Sequence, residues 1–210
     1  MELQIHSAAA VDGQAQGGLS RFESALIDAS HPRRQDVESF IAQRFLSVHG
    51  ARINGFMPQL LALFDDQGRV LAAVGIRDAS TQRLFLEYYL DSPVEQVIAE
   101  RSGVASARAR IVEIGNLASR DRRASRALFR ILSRRLHDKG FDWVVFTGCS
   151  ALYQMFATLG IETLVLGRAL QARLPRDQQT WGGYYEDNPQ VVAGRVDCGR
   201  TVFERPEAVV

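Results

Sequence analysis

The second half of this chain constrains its fold most, because apolar segments of two different periods alternate there. Ala109 to Ala118 is mostly apolar, with one acid at Glu113, and reads as a central strand. Ser125 to Lys139 places Leu128, Phe129, Leu132 and Leu136 on one face and arginines on the other, the mark of an amphipathic helix that Gly140 ends. Trp143 to Thr147 then reads as a buried strand, Ala151 to Leu159 as a short helix stopped by Gly160, and Glu162 to Leu166 as a further strand. Strand, helix and strand in this order imply a βαβ unit and a parallel strand pair.

The first half has another character. Val37, Phe40, Ile41, Phe45 and Val48 recur at helical spacing between Gln35 and His49, and Gly50 is a natural stop. Leu60 to Phe64 and Val70 to Ile76 flank Asp65-Asp66-Gln67-Gly68, so they are expected to form an antiparallel hairpin. Leu84 to Leu90 reads as a strand or strand end. Ser92 as N-cap and Pro93 at the first helical position then open a helix running to about Arg101. The last forty residues read as irregular. Residues 1–20 are expected to be a flexible arm, 21–200 one domain and 201–210 a tail.

Charge and composition exclude several classes. Lys+Arg number 25 against 24 Asp+Glu, a net charge of +1, which gives no electrostatic reason to invoke nucleic acid. Residues 1–20 lack a basic stretch followed by an apolar core, and no apolar run approaches the ~20 residues that span a bilayer, so the expectation is a cytoplasmic protein. The two cysteines, Cys149 and Cys198, are far apart; they fit a reducing compartment and leave one disulfide open. Neither they nor His6, His31, His49 and His137 show metal-ligand spacing, so no metal is expected.

Several residues carry possible chemistry. Glu113 in an apolar strand needs a partner or a raised pKa, and is either a general base or a structural ion pair. Glu87, between Leu86 and Tyr88, poses the same choice. Gly115-Asn116 inside a strand suggests a bulge or a splay that exposes backbone to a ligand. Cys149, ahead of a helix, is either a nucleophile or an inert small residue. Trp181, Tyr184 and Tyr185 either wall a pocket or cap the core. Arg120, Arg122, Arg123, Arg126, Arg130, Arg134 and Arg135 form a basic run. That run is a solvated face, a phosphate site continued by a docking face for an acidic carrier protein, or a contact for anionic lipid.

Five short motifs, in order between about residues 40 and 195, resemble the thermostable hemolysin family. They are Gly50-Ala51-Arg52-Ile53 with Phe56-Met57-Pro58, Leu84 to Asp91, Val112 to Ala118, Trp143 to Thr147, and Trp181 to Tyr185. A more distant resemblance is to the acyl-CoA N-acyltransferases (the GNAT fold) and the acyl-homoserine-lactone synthases. It implies an α/β fold with a mixed, mainly antiparallel sheet flanked by helices. It also implies an acyl thioester donor, acyl-CoA or acyl carrier protein, and a small-molecule amine acceptor, with an amino-acid-like acceptor and a fatty acyl donor favoured. A membrane-active hemolysin and a non-catalytic ligand-binding module are the rival readings.

The resemblance implies roles for particular residues. Glu87 and Glu113 are candidate bases. Backbone amides of Leu117, Ala118 and Ser119 would stabilise an oxyanion. The loop Arg122-Arg123-Ala124-Ser125-Arg126-Ala127 would hold phosphate at a helix N-terminus, where N–H groups and the dipole favour an anion. Ser125 stands where that loop usually has glycine. Phe156 stands four residues before Gly160, where related acyltransferases place a tyrosine acid, and Tyr153 one turn earlier is the substitute. Arg52, Phe56, Tyr88, Asn116, Trp181 and Tyr185 are the expected substrate contacts.

Overall fold

The computed structural model describes residues 22–175 and 181–204, so the expected arm at 1–20 lies outside it. In chain order the main elements are β1 (Glu23–Ile27), α1 (Arg34–His49), β2 (Gln59–Phe64), β3 (Val70–Asp78), α2 (Val94–Ser102) and β4 (Ile111–Ser119). They continue with α3 (Arg122–Asp138), β5 (Trp143–Gly148), α4 (Ser150–Thr158), β6 (Thr163–Arg168), β7 (Gln190–Arg195) and α5 (Val196–Glu204). The strands form a seven-stranded sheet in the order β1-β2-β3-β4-β5-β7-β6. Every neighbouring pair is antiparallel except β4 with β5. This is the mixed, mainly antiparallel sheet that the resemblance implies, and α3 makes the crossover between the two parallel strands.

Local chemistry accounts for most boundaries. Gly50 ends α1 in the left-handed conformation, φ 64°, and donates its N–H to the Leu46 carbonyl at 3.0 Å. The α1 residues Val37, Ile41 and Phe45 recur every fourth position and are buried. Asp121 caps α3 by accepting the Ala124 N–H at 2.8 Å. Leu128, Phe129, Leu132 and Leu136 of α3 are buried, each worth roughly 1.5–3 kcal/mol of hydrophobic transfer. β2 and β3 are buried almost throughout, so their sequences read as continuous apolar runs and not as alternation. One core cluster joins β2, β3 and β4 to α1, α3 and α5; a second joins α2 to Ile111, Trp143 and Val145.

The structure departs from the sequence reading in five places. β1 is an additional strand. The described part of the last forty residues carries regular elements: β7 inserts between β5 and β6, and residues 201–204 close α5 instead of beginning a tail. Phe85–Tyr88 is a 3-10 turn and not a strand, because the Glu87 side chain draws the chain back by accepting the Leu84 N–H at 2.9 Å. Helix α2 starts at Val94 with Pro93 as its N-cap, one residue later than expected. Helix α3 starts at Arg122, so the anticipated phosphate loop Arg122 to Ala127 is already helical.

Candidate active site

β4 and β5 pair only through Ile111–Trp143, Val112–Val144 and Glu113–Val145, and beyond that point the two strands separate. On its other side β4 carries a bulge. Ala73 pairs with Ala118 and Gly75 with Gly115, so Asn116 and Leu117 together face Val74. Asn116 takes φ 49°, a left-handed conformation that asparagine tolerates better than most side chains. The sequence at Gly115-Asn116 suggests a bulge or a splay, and the strand has a bulge toward β3 and parts from β5.

A cleft of about 420 Å³ opens at this split, within the usual size of small-molecule sites. Glu113 and Ile114 to Asn116 from β4, Arg77 from β3 and Thr147 from β5 form its base. Residues 53–57 form one side, held by Asn116: its Oδ1 accepts the Met57 N–H at 2.8 Å and its Nδ2 donates to the Gly55 carbonyl at 3.3 Å. Met57 lies directly on the paired glycines. A Cβ at Gly115 would stand 2.4 Å from Met57 Cε, and one at Gly75 would stand 2.7 Å from Met57 Cβ. The absence of side chains at both positions lets this segment pack against the sheet.

Aromatic rings form the opposite wall. Trp181 packs on Phe45, Phe85 and Tyr184 with centroids 6.2, 5.8 and 5.7 Å apart. Tyr89 and Tyr185 share a hydroxyl–hydroxyl hydrogen bond of 2.5 Å. Burial pushes the Tyr185 hydroxyl up to about 12 and raises Tyr89 and Tyr184 as well, so this wall carries no charge at neutral pH. Gly182 fastens the wall to the end of α1. It has φ 53°, and a Cβ there would lie 2.3 Å from the His49 carbonyl oxygen. His49 itself packs on the Phe45 and Tyr184 rings, and burial lowers its pKa.

Glu113 is the buried acid of the cleft. Its carboxylate accepts the N–H groups of Phe85 at 3.0 Å and Leu86 at 2.9 Å, and one Arg77 guanidinium N–H at 3.2 Å. Burial raises its pKa and outweighs Arg77 and the two amides, which favour the charged form. The β3–β4 register sets the pair, because Arg77 stands opposite Glu113. A carboxyl of this kind, held by oriented donors at the base of an aromatic cleft, is suited to exchange a proton with a bound amine.

Of the other sequence candidates, Phe56, Asn116, Trp181 and Tyr185 also line the cleft. Glu87 does not. It is gripped by both Arg108 end nitrogens at 2.6 and 2.9 Å and by the N–H groups of Leu84 and Val94. Burial pushes its pKa up, but those donors prevail and hold it below the ordinary glutamate value. Tyr153 lies outside the cleft too, its hydroxyl accepting the Gln190 N–H at 2.9 Å and donating to the Gln190 carbonyl at 3.2 Å. Tyr88 sits behind Phe85 under the Arg83 guanidinium, and Arg52 is exposed.

Leu117 belongs to the bulge and Ala118 and Ser119 follow it to the end of β4, all three outside the cleft lining. Arg122 and Arg123 are exposed on the first turn of α3, with Arg126 and Ala127 partly buried behind them. Ser125 is buried and donates to Ser119 Oγ at 2.7 Å. Cys149 is buried at the N-cap of α4 and Cys198 is exposed, and the two are not joined by a disulfide. The sequence reading missed Arg77 and Tyr89, whose places in the cleft follow from strand register and the 3-10 turn.

The fold is that of the acyl-CoA N-acyltransferase kind. The acyl-homoserine lactone synthase LasI superposes with a TM-score of 0.61 at 11% identity, covering 91% of this chain and 98% of LasI. FeeM, an N-acyl amino acid synthase from uncultured soil microbes, gives 0.60 at 14% identity, covering 87% and 94%. BjaI, a CoA-dependent acyl-homoserine lactone synthase solved with SAM and isopentyl-CoA, gives 0.55 at 15% identity, covering 85% of each chain. No curated protein matches the chain in sequence. The thermostable hemolysin family model matches residues 27–200, and the chain belongs to that family.

Proposed function

We propose that this protein is an acyltransferase that moves an acyl group from an acyl thioester, on coenzyme A or a carrier protein, to a small amine in the cleft between β4 and β5. The observation that carries the reading is the buried Glu113 carboxyl at the base of that cleft, where the two strands part. Glu113 takes a proton from the acceptor's ammonium group, and the freed amine attacks the thioester carbonyl. The aromatic wall shelters the acyl chain and excludes water.

The donor's phosphates lie toward Arg120, Arg122, Arg123 and Arg126. Asp121 already takes up the Ala124 N–H in the first turn of α3, and exposed arginine side chains add charge-assisted donors for phosphate there. The exposed Arg130 and Arg134 continue the basic face toward an acidic carrier protein.

The test is release of free thiol from a series of acyl-CoAs and an acyl carrier protein against a panel of amines, with the product identified by mass. Glu113→Gln is expected to lower turnover about 10²- to 10⁴-fold while the protein still melts cooperatively. No thiol release from any donor with any amine would overturn the proposal. The family's name favours a second outcome of the same chemistry. A fatty acyl amide of a polar amine is an amphiphile, and lysis of cells would then require donor and amine together. No helix among the described residues is long and apolar enough to cross a membrane. Lysis by the purified protein alone would support direct action on membranes instead.

A further inference from the structure

The cleft holds a cation that proton transfer alone does not require. Arg77 and Glu113 are the two charged residues among those that line it. Among the described residues the Arg77 guanidinium donates one hydrogen bond, from Nη1 to Glu113 Oε2 at 3.2 Å, and its buried Nε has no partner. A guanidinium offers five N–H donors, and leaving them unused beside aromatic walls is unfavourable unless an anion completes the set. The side chain is 17% exposed, so it is reached through the cleft and is not simply hydrated at the surface.

Cation and anion side by side are the electrostatic image of a molecule with an ammonium and a carboxylate on one carbon. In an α-amino acid the nitrogen and the carboxyl carbon stand about 2.5 Å apart by standard bond lengths and angles, a span that fits this neighbouring pair. Resting on the acyl-transfer reading above, we infer that the acceptor is an α-amino acid with an apolar or aromatic side chain, whose carboxylate pairs with Arg77 while its ammonium faces Glu113. Arg77 is then a specificity-determining residue. A planar guanidinium suits bidentate recognition of a carboxylate, and Phe56, Phe85 and Trp181 supply the apolar surroundings for the side chain.

The reaction balances without a further reagent. The ammonium gives one proton to Glu113, and the nitrogen lone pair forms a C–N bond at the thioester carbonyl carbon. The C–S bond breaks, and sulfur leaves as thiolate and takes the second proton shed by nitrogen. Glu113 returns its proton to water, and the N-acyl amino acid keeps its carboxylate on Arg77.

The experiment compares phenylalanine with phenylalaninamide and phenethylamine as acceptors, by thiol release and, without any donor, by the thermal shift each produces. The wild type is expected to prefer phenylalanine about 100-fold in kcat/KM and to be stabilised by it alone. Arg77→Gln should erase that preference while leaving the KM for acyl-CoA unchanged, and Arg77→Lys should restore part of it. Because Arg77→Gln leaves Glu113 without its cation, the double variant Arg77→Gln/Glu113→Gln is melted beside it, and should fold and show no shift with phenylalanine.

Thiol release with equal preference for all three acceptors overturns this inference and leaves acyl transfer standing. A fall in kcat with Arg77→Gln that is equal for all three also overturns it, by placing Arg77 on the oxyanion. A shift with phenylalanine alone and no thiol release from any donor overturns acyl transfer and leaves amino-acid recognition by Arg77 standing.

Discussion

Removing the Arg108 side chain tests how the cleft is framed. Arg108 grips Glu87 with two nitrogens, meets Glu95 at 2.7 Å, and donates from Nε to the Ala79 carbonyl at 2.7 Å. In Arg108→Met the Glu87 carboxylate, in a residue 6% exposed, keeps only the Leu84 and Val94 amides. Breaking a buried pair by deleting one partner costs about 3–5 kcal/mol. Arg108 is itself 28% exposed, so the lower part of that range applies, and we expect about 3 kcal/mol. For a chain of this size that is a fall in Tm of roughly 6–12 °C.

The sign of the pH dependence follows from Glu87. Its pKa is lowered in the folded protein, so the pair's stabilisation is present above the ordinary glutamate value and is lost as pH falls through the folded one. Without Arg108 the same carboxyl is buried and unpaired, its pKa rises, and protonation relieves the variant. The deficit measured by thermal melting should therefore be largest near neutrality and shrink by half or more toward about pH 4. The double variant Glu87→Gln/Arg108→Met should regain most of the loss. A deficit under about 1 kcal/mol at pH 7, or one that stays constant on acidification, would refute this account of the network. Turnover in Arg108→Met should fall as well, because the turn that Glu87 holds presents the Phe85 and Leu86 amides to Glu113.

Three further outcomes are expected. Turnover, followed by thiol release against pH, should rise with a midpoint above the ordinary glutamate range, since Glu113 acts deprotonated and burial raises its pKa. Gly182→Ala should destabilise by at least ~2 kcal/mol in denaturant unfolding, because the added Cβ meets the His49 carbonyl at 2.3 Å and φ is 53°. Tyr153→Phe should cost about 1 kcal/mol in the same assay by losing its Gln190 hydrogen bonds, and should leave kcat within about twofold.

Much of the sheet was legible because its segments have clean periods. α3 shows every apolar position on one face, and β4 and β5 are short apolar runs bounded by turn residues. β7 was not, since Gln190–Arg195 passes directly into α5 without a turn signal and follows a glycine-rich aromatic stretch. Leu84 to Leu90 has the composition of a strand, but the Glu87 carboxylate turns back onto the Leu84 N–H and is held there by Arg108, 21 positions away, which makes it a 3-10 turn. Glu87 and Glu113 send the same signal, a lone acid among apolar neighbours, yet one is locked by Arg108 and the other opens onto the cleft. Arg77 was invisible because an arginine ending an apolar run reads as a strand leaving the core. Register alone sets it against Glu113.

The position of β7 bears on how the chain assembles. Among the described residues β6 has one partner in the sheet, β7, which is synthesised after it. Until residues 190–195 emerge, β5 and β6 each present an unfilled edge toward the same gap. Closure of the sheet is thus a late, non-local event, the kind that slows folding and exposes strands to mispairing. Shortening the chain ahead of β7 would leave β6 without a partner in the sheet and β5 paired with β4 alone.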